Sequence, residues 1–72
     1  DKLTQYNDKL LELMMWEATP GAVADANQIA CQVQLAAIYA SMSSEEQGQA
    51  DTNRVKLMRG ERQVDGTSVG SE

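Results

Sequence analysis

Histidine is absent from this 72-residue chain, and cysteine occurs once, as Cys31. Without a second thiol the chain can form no internal disulfide, and without histidine it lacks the usual ligand set of a structural zinc site. A Ser–His or Cys–His nucleophile pair is excluded for the same reason. We therefore expect no enzyme activity, no catalytic residue, no metal, no cofactor and no small-molecule substrate.

Positive charge is also scarce. Six Lys and Arg residues stand against 11 Asp and Glu residues, for a formal net charge of −5. Phosphate binding needs clustered Lys and Arg. The one basic cluster lies between residues 54 and 62 and is flanked by acids, which is typical of a solvated helix end. Direct nucleic-acid binding is therefore not expected.

No uninterrupted apolar run is long enough to cross a bilayer, which takes about 20 predominantly apolar residues. The most apolar stretch covers residues 22–42, and polar residues interrupt it, among them Asp25, Asn27, Gln28, Gln32 and Gln34. We expect no membrane span.

The stretch 22–42 predicts an alanine-rich helix with apolar residues on two faces, because they recur at steps of three and four in two separate rows. The first row is Ala22, Ala26, Ile29, Val33, Ala36 and Ala40. The second row is Cys31, Leu35, Ile38 and Met42. A surface helix normally has a single apolar stripe. The pattern therefore predicts a helix packed between its own hairpin partner and another chain.

A first amphipathic helix is predicted over residues 3–17, where Leu3, Tyr6, Leu10 and Leu13 follow heptad spacing. Residues 18–21 break it, with Thr19 as the predicted N-cap of the next helix and Pro20 at its first position. A short connection of this kind makes antiparallel neighbours, so we predict an αα-hairpin in which Tyr6 lies close to Tyr39.

A short third helix is predicted from Ser44 to Arg59, because Ser43 and Glu46 match a capping box. From Gly60 the composition turns polar and glycine-rich, which predicts an extended tail over residues 60–72. The fold class is therefore all-α, with a helical unit at 1–59 and a C-terminal tail at 60–72.

So short a chain buries little surface, and this one lacks the disulfides and metal sites that stabilise many small domains. Both features favour oligomerisation or membership of a larger assembly. The residues predicted to contact another chain are Trp16, Cys31, Leu35, Ile38, Met42, Val64 and Val69. Two of these have an alternative interpretation. Trp16 could instead close the hairpin's own core, and Cys31 could be a buried structural thiol, since free cysteine behaves as a small hydrophobe.

Two functions are consistent with these features. The first is a structural or assembly subunit that packs its second helix and tail against a protein partner or against further copies of itself, as in a virion or a similar particle. The second is a small acidic regulatory module, an inhibitor or adaptor, that docks on one protein target. A lone cysteine favours a reducing compartment such as the cytoplasm, or the interior of an assembled particle, over secretion.

Overall fold

Three helices make up most of the structure, a computed structural model that describes residues 1–61 and 64. They are α1 (Lys2–Glu17), α2 (Ala22–Ala40) and α3 (Ser44–Met58). The predicted all-α hairpin with a short third helix is confirmed, with boundaries within about two residues of the prediction. The predicted tail at 60–72 lies largely outside the described residues, which include only Gly60, Glu61 and Val64 of it.

The first helix is the element on which the other two pack. α1 lies along both α2 and α3, whereas α2 and α3 make little contact with each other. Its buried side chains Tyr6, Leu10 and Leu13 follow steps of four and three, so they form one stripe along the helix. The Lys2 ammonium donates to the carbonyl of Ser41, which places the start of α1 beside the end of α2, as an antiparallel hairpin requires.

The turn between α1 and α2 differs from the prediction at Thr19. The Thr19 hydroxyl donates to the carbonyl of Met15 at 2.8 Å, so this residue closes α1 instead of capping α2. The N-cap of α2 is Gly21, with φ at 114°. Only glycine adopts this backbone conformation at little cost. The predicted threonine cap is wrong because the chain reverses direction through Gly21.

The third helix begins with the predicted capping box. The Ser43 hydroxyl accepts from the Glu46 amide at 3.2 Å, and the Glu46 carboxylate accepts from the Ser43 amide at 2.8 Å. The buried side chains of α3 are Ala50, Asn53 and Leu57, again at steps of three and four. This narrow stripe is the buried part of the contact between α3 and α1.

Two asparagines are buried between α1 and α3. The Asn53 amide donates to the Asn7 side-chain oxygen at 3.5 Å, and it accepts from Gln49 at 2.9 Å. Both asparagines are fully buried. Leaving a buried polar group unpaired costs about 1–3 kcal/mol. The pair therefore favours one register of α3 along α1, because sliding α3 by a turn would separate the two amides.

Replacing Leu57 by alanine should destabilise the chain by about 2–5 kcal/mol, since a fully buried leucine leaves a cavity when truncated. The matched control is Val55→Ala on the exposed side of α3, which should change stability by less than about 1 kcal/mol. Urea unfolding followed by circular dichroism measures both. Equal losses in the two variants would contradict the docking of α3 through Leu57.

The capping box should make stability depend on pH. Hydrogen bonding from the Ser43 backbone lowers the pKa of Glu46 from its ordinary 4.5. Because the folded pKa is the lower one, the ionised carboxylate stabilises the fold above pH 4.5, and this contribution is lost as the pH falls through the folded pKa. Glu46→Gln should therefore lose less stability than the wild type between pH 5 and pH 3, as measured by thermal unfolding. Identical pH profiles would show that the cap carboxylate contributes nothing.

Candidate interaction surface

The second apolar row of α2 faces the chain's own core. Cys31, Leu35 and Met42 are all buried and belong to one cluster with Leu10 and Leu13 of α1. The prediction that these three residues present a surface to another chain is therefore corrected. The physical reason is size: a row containing leucine and methionine buries more apolar area against α1 than an alanine row, and burial stabilises in proportion to area.

The other predicted contact residues differ in how far they are buried. Trp16 and Ile38 are partly buried and pack against the same core cluster. The Trp16 carbonyl also accepts from the Gln28 amide at 3.1 Å, next to the turn. Val64 is buried in the cluster as well, so this residue of the predicted tail packs on its own chain. Val69 lies outside the described residues.

Cys31 has one polar neighbour, Glu12 of α1. The thiol donates to the Glu12 carboxylate at 3.3 Å. Burial raises the pKa of the Cys31 thiol, and the nearby carboxylate raises it further. The hydrogen bonds from Cys31 and from Lys9, at 3.2 Å, lower the pKa of Glu12 in turn. A neutral, buried thiol is a poor nucleophile. Cys31 therefore has the environment of a structural residue.

A groove of about 460 Å³ runs along α1 where α2 and α3 diverge. Leu13 and Leu35 lie at its base, and polar side chains from all three helices line its walls. The rings of Tyr6 and Tyr39 meet there with centroids 6.1 Å apart and planes tilted by 49°. The predicted proximity of the two tyrosines is confirmed.

Four of the polar side chains that line the groove are hydrogen-bonded in two pairs. The Tyr39 hydroxyl donates to Asp51 at 3.2 Å, and Arg54 donates to the Tyr6 hydroxyl at 3.4 Å. Burial and the Asp51 carboxylate raise the pKa of Tyr39. Among residues 1–61 and 64, no group of acidic or thiol side chains is arranged to hold a metal ion. The Tyr39–Asp51 contact joins α2 to α3 across the groove, and the Arg54–Tyr6 contact joins α3 to α1.

The outer face of α2 is different, because large apolar side chains lie in solvent there. Val23, Ile29 and Val33 are 72%, 63% and 64% exposed. Ile29 and Val33 lie on the side of the helix opposite Cys31 and Leu35, which neither α1 nor α3 covers, whereas Val23 lies at the edge of this side, about 120° around the helix from Ile29. Their neighbours on this side are exposed alanines: Ala22, Ala26, Ala30, Ala36, Ala37 and Ala40. We call Val23, Ile29, Val33 and these six alanines the α2 outer face.

The α2 outer face carries no ionised side chain, and Asp25 and Gln32 lie along one edge of it. At about 100° per residue, its central row from Ala22 to Ala40 covers an arc of roughly 80°. This is the first apolar row of the sequence. Periodicity showed that two rows exist, but it assigned the wrong one to the outside.

Comparison with known proteins adds no relative: no family model, curated protein or solved structure matches this chain. Within the described part of the chain, no helix combines the length and apolarity needed to cross a membrane. The function has to be inferred from the geometry of the chain itself.

The buried position of Cys31 leads to a labelling prediction. A thiol that is 1% exposed reacts only after local or global opening. At pH 8, labelling by a maleimide or an aromatic disulfide should be at least about 100-fold slower in the native chain than in urea, corresponding to an opening free energy of about 2.7 kcal/mol. Mass spectrometry against time measures the rate. A native rate within a few-fold of the unfolded rate would contradict the burial of Cys31.

Proposed function

We propose that this chain is a non-enzymatic interaction subunit that binds another protein through the α2 outer face. The observation that carries the proposal is the exposure of Ile29 and Val33, each more than half open to solvent at the centre of an uncharged helix face that has the exposed Val23 at its edge. Single exposed apolar residues are ordinary on protein surfaces, whereas contiguous apolar patches mark interaction sites.

The energy available from covering this face is substantial for so small a chain. Burying a valine or isoleucine side chain contributes about 1.5–3 kcal/mol. Ile29 and Val33 lie next to each other at the centre of the face and are both more than half exposed, so most of this energy is still to be gained. A partner that covers both side chains would recover it.

The shape of the face suits a helix. Alanines before and after the central Ile29 and Val33 leave room for close approach, and packed helices lie 8–10 Å apart depending on the side chains between them. A partner helix laid along α2 would contact the alanines at both ends and the larger residues in the middle. Helix-against-helix packing is therefore the binding mode that the proposal assigns.

The setting can be a virion or another assembly in which this chain is a repeated or stoichiometric component. A regulatory module that docks on a single different protein would use the same face. The two settings differ in what the isolated chain does: the assembly subunit associates in a fixed stoichiometry within a larger complex, while the regulator is a folded monomer with one target.

The test is a pair of matched double substitutions. Ile29→Lys with Val33→Lys places two charges in the centre of the α2 outer face, while Val55→Lys with Met58→Lys places the same charges on exposed apolar positions of α3. We expect the α2 variant to weaken protein association at least about tenfold, because it loses two apolar contacts and requires charges to be desolvated. Sedimentation and quantitative recovery of copurifying proteins measure association.

The α3 variant controls for net charge, since both variants change it equally. Circular dichroism should show both variants as helical as the wild type, because lysine has good helix propensity and all four positions are exposed. Unchanged association of the α2 variant, or a wild-type chain that associates with no protein at all, would overturn the proposed function.

A further inference from the structure

We infer that the partner of the α2 outer face is a second copy of this chain, whose α2 lies antiparallel to the first across a two-fold axis at the level of residue 31. The inference rests on the proposed function and names its partner. The observation behind it is a symmetry within the central row of that face, Ala22, Ala26, Ile29, Val33, Ala36 and Ala40.

The central row of the face is symmetric about residue 31. Ala22 and Ala40 each lie nine residues from it, and Ala26 and Ala36 each lie five residues from it. The two larger members, Ile29 and Val33, each lie two residues from it. Both the spacing and the size of the side chains therefore repeat when the helix is read in either direction.

This is the pattern that an isologous helix pair requires. In a two-fold dimer the same patch serves both subunits, so that residue i contacts residue j and j contacts i. With α2 antiparallel to itself, Ile29 lies opposite Val33 of the second copy, and alanine lies opposite alanine on either side. The alternating steps of four and three are also the seam of a coiled-coil contact.

Electrostatics favour the antiparallel arrangement over a parallel one. The only charged residue beside the row is Asp25, near the start of α2. In a parallel pair the two Asp25 carboxylates would lie at the same level of the dimer, whereas in an antiparallel pair they lie near opposite ends. Antiparallel helices also place each N-terminus beside the C-terminus of the other, where the helix dipoles attract.

Neither of the other two helices obstructs this pairing. α1 covers the opposite side of α2, and α3 packs on α1. The α2 helix is about 28 Å long at 1.5 Å per residue. One helix pair of this length buries less than the roughly 1,200–2,000 Å² of a standard interface. The dimer is therefore expected to be concentration-dependent.

Cysteine cross-linking tests the pairing and its direction. One chain carries Ala26→Cys, and a second chain, lengthened by a mass tag, carries Ala36→Cys. In the antiparallel pair these two positions face each other, while two copies of either variant hold their thiols about 15 Å apart along the axis. We expect oxidation of the mixture to give the mixed disulfide dimer and either variant alone to give almost none. Sedimentation of the wild type should show a doubling of mass as its concentration is raised.

The wild type is the control for Cys31, which is buried and should form no cross-linked dimer. Ala22→Cys mixed with Ala40→Cys is a second pair in the same register. Cross-linking of each variant with itself but not with the other would show a parallel pair and overturn the inference. A chain that stays monomeric and uncross-linked at every concentration would overturn the inferred dimer too. The proposed function would still stand in that case if a different protein binds the wild type and fails to bind the Ile29→Lys, Val33→Lys chain.

Discussion

The packing of α2 onto α1 decides which face of α2 is left for another molecule. Cys31, Leu35 and Met42 are buried in one cluster with Leu10 and Leu13, and this contact uses the larger side chains of α2. Because a helix side chain points in one direction only, the alternate row is then turned to solvent. The exposure of Ile29 and Val33 is thus a consequence of core formation and not a separate feature.

The central position of α1 also keeps α3 away from the outer face of α2. α3 packs on α1 through Leu57, Ala50 and the Asn7–Asn53 pair, and it meets α2 mainly through polar contacts such as Tyr39 with Asp51. A third helix laid across the outer face of α2 would have hidden its apolar residues. Here α3 lies elsewhere, so within residues 1–61 and 64 the helices pack together without covering the α2 outer face.

Features governed by neighbours in sequence were predictable. The three helices follow from apolar spacing, the start of α3 follows from Ser43 and Glu46, and the contact of Tyr6 with Tyr39 follows from a short antiparallel turn. The N-cap of α2 was not predictable, because both threonine and glycine are common N-cap residues. Gly21 caps α2, and Thr19 bonds to the last turn of α1 instead. The Asn7–Asn53 contact was missed because the two residues are 46 positions apart and belong to no local pattern.

The amino-acid order alone determined that α2 has two apolar rows and that one of them is palindromic about residue 31, because periodicity is a property of the chain itself. It did not determine which row is inside. That choice depends on how much area each row buries against α1 and on where α3 comes to rest, and both are sums over contacts between residues far apart in the chain. Only the tertiary structure decided that Leu35 lies inward and Ile29 outward, which places the palindromic row on the surface.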